Sequence, residues 1–138
     1  MDTEAPEYMI EFPHGYTYSG HPLACAAGLA TLDLLEKENS FEQVASMAPV
    51  LEDAIHSLKG AKHVIDIRNY GSAAGVTLAS APGEPAKRPF EVAMKCWEKG
   101  FYVRYGGDTL QLGLPFSTTP TEIDSIVNAI GEAINEID

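Results

Sequence analysis

Two strand-like runs and one amphipathic helix close the sequence with almost no residues to spare, and this arrangement most narrows what the chain can fold into. "FYVRY" and "TLQLGL" flank Gly106-Gly107-Asp108, a composition that predicts a tight turn between antiparallel strands. Thr119-Pro120-Thr121-Glu122 then predicts a capping box with Pro at the first helical position. Behind it Ile123, Ile126, Val127, Ile130, Ile134 and Ile137 recur at helical spacing. A hairpin followed at once by such a helix must bury the apolar stripe on a sheet, so the chain belongs with mixed helix-and-sheet folds.

Earlier segments extend this pattern. A first helix is predicted from His21-Pro22 to about Asn39, capped by Ser19 or Gly20, with Leu23, Ala27, Ala30 and Leu34 as one stripe. Its small residues, Cys25 to Gly28, would let another backbone approach closely, as in a buried helix. Ser40 with Gln43 predicts a capping box for a second helix, with a kink or break at Pro49 and a stop at Gly60. Strands are expected at Val64–Arg68 and Gly75–Ala79, then a Pro-rich loop from Ala81 to Pro89. Phe90, Met94 and Trp97 mark a third helix that ends at Lys99-Gly100. The order is α-α-β-β-α-β-β-α: an α/β (α+β) fold with a short antiparallel or mixed sheet covered on one face by helices. The expected organisation is an extended segment and loop over 1–20, then one domain with its entry helix over 21–138.

A length of 138 residues suits one core, and 45% hydrophobic with 21% charged residues is ordinary for a globular protein. The net charge of −11 argues against nucleic acid and anionic membranes as partners. The N-terminal run lacks the basic-then-apolar pattern of a signal peptide. The two cysteines, Cys25 and Cys96, lie in apolar helical runs and are expected to be buried, reduced thiols, which points to the cytoplasm.

Chemistry is concentrated in two places. Arg104, one of only three arginines, lies near the end of its strand with Tyr102, opposite the face of Phe101, Val103 and Tyr105. An arginine there can present a planar fork to a carboxylate, or simply pair with Asp108 at the surface. The second place is "HGYTYSGHP". Gly15 to Gly20 offer hydroxyls and backbone N–H groups just before a helix N-terminus, where an anion such as phosphate is stabilised, but the P-loop pattern is absent. His14 and His21 lack the acidic neighbours of a metal site, and no metal is expected. Cys25 one turn from His21 could form a thiolate pair, as in a Cys/His enzyme; the packing composition around it favours an inert thiol.

"FPHGYTYSGHPLACAAGLATLDLL" resembles the segment after the cofactor lysine in class III aminotransferases, pyridoxal-phosphate enzymes of fold type I. "GFYVRYGGDTLQLGLPF" resembles a later segment of the same family, in the branch that transfers an amino group from ω-amino acids such as β-alanine to pyruvate. The resemblance runs from about Glu11 to the end. It implies the small C-terminal domain of a homodimeric enzyme that works on small amino and keto acids. It further implies that Thr17 hydrogen-bonds the cofactor phosphate of the neighbouring subunit, with Tyr16 a lesser contact, and that Arg104 binds the substrate carboxylate. Tyr16, Tyr18 and His21 otherwise support the loop and interface. One feature departs from the family. The Schiff-base lysine belongs upstream of the first motif, and no lysine precedes it here; the six lysines, 37, 59, 62, 87, 95 and 99, all follow it. The resemblance thus implies a C-terminal portion without catalytic residues of its own, inactive alone and binding little or no pyridoxal phosphate. The alternative is a non-enzymatic α/β binding or regulatory module.

Overall fold

The computed structural model describes residues 14–138, which fall into two compact units divided between Glu38 and Asn39. The extended segment expected at the N-terminus lies, up to Pro13, outside the described residues.

The first unit holds one helix, α1 (Pro22–Lys37). Pro22 occupies its first position, where the missing N–H costs nothing. His21, not Ser19 or Gly20, is the N-cap, with no side-chain cap, because Ser19 is engaged in the preceding turn. No residue of α1 is buried, and Leu23, Leu29 and Leu32 are all exposed. Cys25, expected inside, is exposed as well. Composition alone does not bury its small-residue face.

The second unit contains everything else. α2 (Ser40–His56) and α4 (Pro120–Asn135) pack side by side, and α3 (Lys87–Glu98) lies along α4. They cover one face of a four-stranded sheet of β1 (Val64–Tyr70), β2 (Ala73–Leu78), β3 (Arg104–Gly106) and β4 (Thr109–Gly113). The spatial order is β1-β2-β4-β3, with every neighbouring pair antiparallel. β3 therefore runs parallel to β2, and α3 provides the crossover that parallel strands need. The hairpin then folds back so that β4 fills the gap between them.

Alternation along the strands sorts their side chains. Ala74, Val76 and Leu78 of β2 and Leu110 and Leu112 of β4 face the helices. There they meet Leu51 and Ile55 of α2, Val92 and Cys96 of α3, and Ile123, Val127, Ile130 and Ile134 of α4 in one core. Burial raises the Cys96 thiol to about 11, as befits an inert thiol. On the open face stand Asp66, Arg68, Thr77, Thr109, Gln111 and Arg104.

Several local expectations differ from the structure. α2 is capped by Asn39 in the left-handed conformation (φ 50°), without a side-chain cap, and not by Ser40 with Gln43. Ser40 is already helical and buried. Pro49 lies inside one continuous α2 and does not break it, because Leu51 and Ile55 anchor the following turns in the core. Phe90, Met94 and Trp97 do fall in α3 but stay exposed; the buried stripe is Pro89, Val92, Ala93 and Cys96. Of "FYVRY", only Arg104 and Tyr105 enter the strand; the pairing with β4 begins at Arg104.

The cap of α4 is as the sequence predicts. Thr119 accepts a hydrogen bond from the Glu122 backbone N–H, and the Glu122 carboxylate accepts from the Thr119 N–H (2.8 Å) and hydroxyl (2.7 Å). These bonds hold the Glu122 carboxyl below its ordinary value of 4.5, the backbone bond first. Thr119→Ala is expected to cost about 1 kcal/mol at neutral pH. A carboxyl with a lowered folded pKa stabilises above its unfolded value and ceases to do so as pH falls through the folded one. The gap between wild type and Thr119→Ala should therefore shrink on acidification below 4.5. Urea titrations of both proteins across that range measure it.

Candidate functional site

Arg104 opens β3, the edge strand of the sheet. The chain reverses after Gly106 through Gly107, at φ 55°, and Asp108, so Arg104 pairs with Gln111 across the hairpin. Asp108 does not pair with Arg104, as the surface-pair alternative required. Its carboxylate instead accepts from the Ser80 hydroxyl and from the Ala86 backbone N–H (2.9 Å) at the start of α3. Those two bonds, the serine first, hold the Asp108 carboxyl below its usual range. The turn is thus tied to the body of the unit, and the end of β3 with it.

The three arginines differ in what they hold. Arg88 donates to the carbonyls of Ala79 (2.6 Å), Ser80 (3.0 Å) and Asp138 (2.9 Å), a structural clamp. Arg68 donates to Asp66 (2.5 Å) and to the Thr77 hydroxyl (3.0 Å). Arg104 alone has no hydrogen-bond or ion-pair partner among the described residues. It is exposed and lines a groove of about 590 Å³ with Tyr102, Gln111, Leu112 and Pro115. An unpaired guanidinium on a mostly apolar groove is arranged to take an anion that brings its own apolar carbons.

Thr17 lies in the first unit, at the tip of a turn closed from both sides. Ser19 N–H donates to the Tyr16 carbonyl (2.9 Å), and Tyr16 N–H donates to the Ser19 hydroxyl (2.7 Å). The Thr17 hydroxyl itself has no partner among the described residues. The Tyr16 ring meets His14 edge-on, with centroids 5.0 Å apart, and the Tyr18 ring lies tilted against His21 at 6.1 Å. Among the described residues no group of His, Cys, Asp or Glu is arranged to hold a metal ion, and no helix is long and apolar enough to cross a membrane.

Arg104 stands on an edge strand held by a two-residue turn, and Thr17 on a turn just before a helix. They lie in a chain that belongs to the class III aminotransferase family, whose family model matches residues 2–134. Over 99% of its length the chain is 54% identical to the omega-amino acid–pyruvate aminotransferase of Pseudomonas putida and to the beta-alanine–pyruvate aminotransferase of Pseudomonas aeruginosa. It spans 30% and 31% of those two proteins. The fold is that of solved relatives too. The adenosylmethionine-8-amino-7-oxononanoate aminotransferase of Methanocaldococcus jannaschii matches with TM-score 0.79 and 37% identity, over 92% of this chain and 30% of that one. A thermostable omega transaminase from Pseudomonas jessenii matches at 0.82 and 27%, over 91% and 29%.

Class III aminotransferases depend on pyridoxal phosphate, and the residues present suit only one end of it. The unpaired Thr17 hydroxyl before α1 suits a phosphate. The lysines do not suit the aldehyde. Lys62 donates to the Ile137 carbonyl (2.5 Å), Lys87 pairs with Glu84, Lys95 with Glu136, and Lys99 with Glu132 and Glu136. The carboxylate bonds raise Lys87 and Lys99, the reverse of what a nucleophilic amine requires. Lys37 and Lys59 are exposed at helix ends.

The sequence missed two features here. Gln111, opposite Arg104, was legible only as one more polar residue of an alternating strand. The partners of Arg68, Asp66 and Thr77, lie on two different strands and were not legible either.

Proposed function

We propose that this chain is the C-terminal portion of a pyridoxal-phosphate-dependent aminotransferase that moves an amino group from an ω-amino acid such as β-alanine to pyruvate. The observation that carries this is 54% identity, over 99% of the chain, to relatives named for those two substrates. Pyridoxal phosphate, when bound, supplies the electron sink and carries the amino group between the two half-reactions. In this reading Arg104 grips the carboxylate common to β-alanine, pyruvate and alanine, and so orients the end of each substrate remote from, or adjacent to, the exchanged group. Tyr102 and the apolar groove wall exclude water from that ion pair and strengthen it. Thr17 donates to the phosphate of the cofactor held by the neighbouring subunit of a homodimer, with Tyr16 beside it. α1 leads from that turn into the small domain. The cytoplasm is the compartment in which the free thiols of Cys25 and Cys96 and this chemistry fit together.

The reading predicts that the complete enzyme forms alanine from β-alanine and pyruvate, whereas the 138-residue chain alone does not. Both are assayed with added pyridoxal phosphate, then reduced with borohydride and peptide-mapped. The chain alone should carry sparse label spread over several lysines. A single stoichiometrically labelled lysine in it, together with alanine formation, would overturn the reading.

A further inference from the structure

Gly106 is a glycine without a backbone reason to be one. Its φ is not among the positive values, which in this hairpin belong to Gly107 alone. It is also exposed, so no core crowds it. What occupies the space is the Gln111 side chain. A Cβ built on Gly106 would lie 2.7 Å from the Gln111 Nε2 and 3.5 Å from its Cδ. Gln111 pairs in register with Arg104, two residues before Gly106, so all three share the open face of the hairpin. The amide therefore leans diagonally over the glycine, on the face that also carries Arg104. Like Arg104, the Gln111 side chain has no hydrogen-bond partner among the described residues. Both line the 590 Å³ groove. An exposed glutamine free of contacts would ordinarily extend into solvent; this one lies flat where only a glycine lets it.

We propose that Gln111 is a specificity-determining residue of the carboxylate site, and that Gly106 is the gap that seats it. A carboxylate has about four lone-pair positions, and a bidentate arginine uses two of them. The Gln111 amide N–H is placed one strand away, about 5 Å across the ladder, to fill a third. Arginine alone would accept many anions; a neutral donor at its flank selects a planar carboxylate set against the sheet. This rests on the reading of Arg104 as the carboxylate ligand, and the experiment separates the two.

Single-turnover half-reactions of the complete enzyme are measured with β-alanine, with pyruvate and with a primary amine that has no carboxylate. Gln111→Glu keeps the shape, removes the donor and adds repulsion. It should raise the half-saturation concentration for β-alanine and pyruvate about tenfold to hundredfold, with little change in the limiting rate, and leave the plain amine within about twofold. Gln111→Ala should act in the same direction and less. Gly106→Ala, which displaces the amide, should resemble Gln111→Ala, and should add nothing further in the Gln111→Ala background, where no amide remains to be displaced. If Gln111→Glu leaves the carboxylate substrates unchanged, or harms all three substrates alike, the proposal is wrong. If it does so while Arg104→Lys still discriminates between carboxylates and the plain amine, only the Gln111 role falls. If Arg104→Lys does not discriminate either, both readings fall together.

Discussion

Arg104→Lys in the complete enzyme is expected to slow both half-reactions that use a carboxylate, by about tenfold to hundredfold in kcat/KM. The ammonium keeps the charge and loses the fork. One of two parallel charge-assisted bonds disappears, and such a bond contributes about 1.5–3 kcal/mol. Nothing nearby can substitute, because the other two arginines are committed. Arg88 holds the Ala79, Ser80 and Asp138 carbonyls, and Arg68 holds Asp66 and Thr77. A primary amine without a carboxylate never meets the fork, so its half-reaction stays within about twofold of wild type. The measurement is a pair of single-turnover rates, one for β-alanine and one for the plain amine. Equal losses for both would remove Arg104 from substrate recognition. The fold is expected to be insensitive to the change, since Arg104 is exposed and its side chain has no partner among the described residues. A fall in thermal stability is not expected beside the fall in rate.

Thr17→Ala is expected to give the second large effect, through the cofactor. The hydroxyl stands at the tip of a turn closed by the Ser19–Tyr16 bonds, with no partner of its own among the described residues. A donor prepared in this way spends little conformational entropy on binding an anion. Removing it costs one charge-assisted hydrogen bond to the phosphate, about 1.5–3 kcal/mol, or about a tenfold to hundredfold rise in the dissociation constant of pyridoxal phosphate. The limiting rate at saturating cofactor should be nearly restored, because the proposed role of the Thr17 hydroxyl is only to hold the phosphate. Ser19→Ala supplies the complementary control. It keeps the hydroxyl of Thr17 but opens the turn, since Tyr16 N–H loses its acceptor. Cofactor titration by fluorescence or absorbance reads both variants. An unchanged dissociation constant for Thr17→Ala would reduce the residue to a part of the turn.

The two sites were legible to different depths. Arg104 and Thr17 could be singled out from the sequence because each belongs to a local pattern, a strand ending at two glycines and a polar loop before a proline-started helix. What each would touch was not legible. The surface pair of Arg104 with Asp108 was a reasonable reading of residues four apart, yet Asp108 turns to Ser80 and Ala86. Cys25 shows the same limit in the opposite sense. A run of small residues says that a helix can be packed closely, not that a partner is there, and no residue of α1 is buried.

Features settled within a few residues were determined by the sequence alone. The capping box of Thr119 and Glu122, the apolar stripe of α4, the turn at Gly107 and the helix start at Pro22 depend on steric and hydrogen-bonding preferences that act over one turn. The strand order β1-β2-β4-β3 is another matter. It sets β4 against β2 and so lines up Arg68, Gly75, Gln111 and Arg104 across the open face, residues drawn from four separate strands. Only that register neutralises one arginine and leaves the other free, and only it lays the Gln111 amide over Gly106. Pairing across strands is chosen by the burial of the opposite face against three helices, a sum over the whole core that no local stretch contains. The candidate residues were therefore marked by short motifs, while the tertiary structure decided which of the charged groups are left available to a ligand.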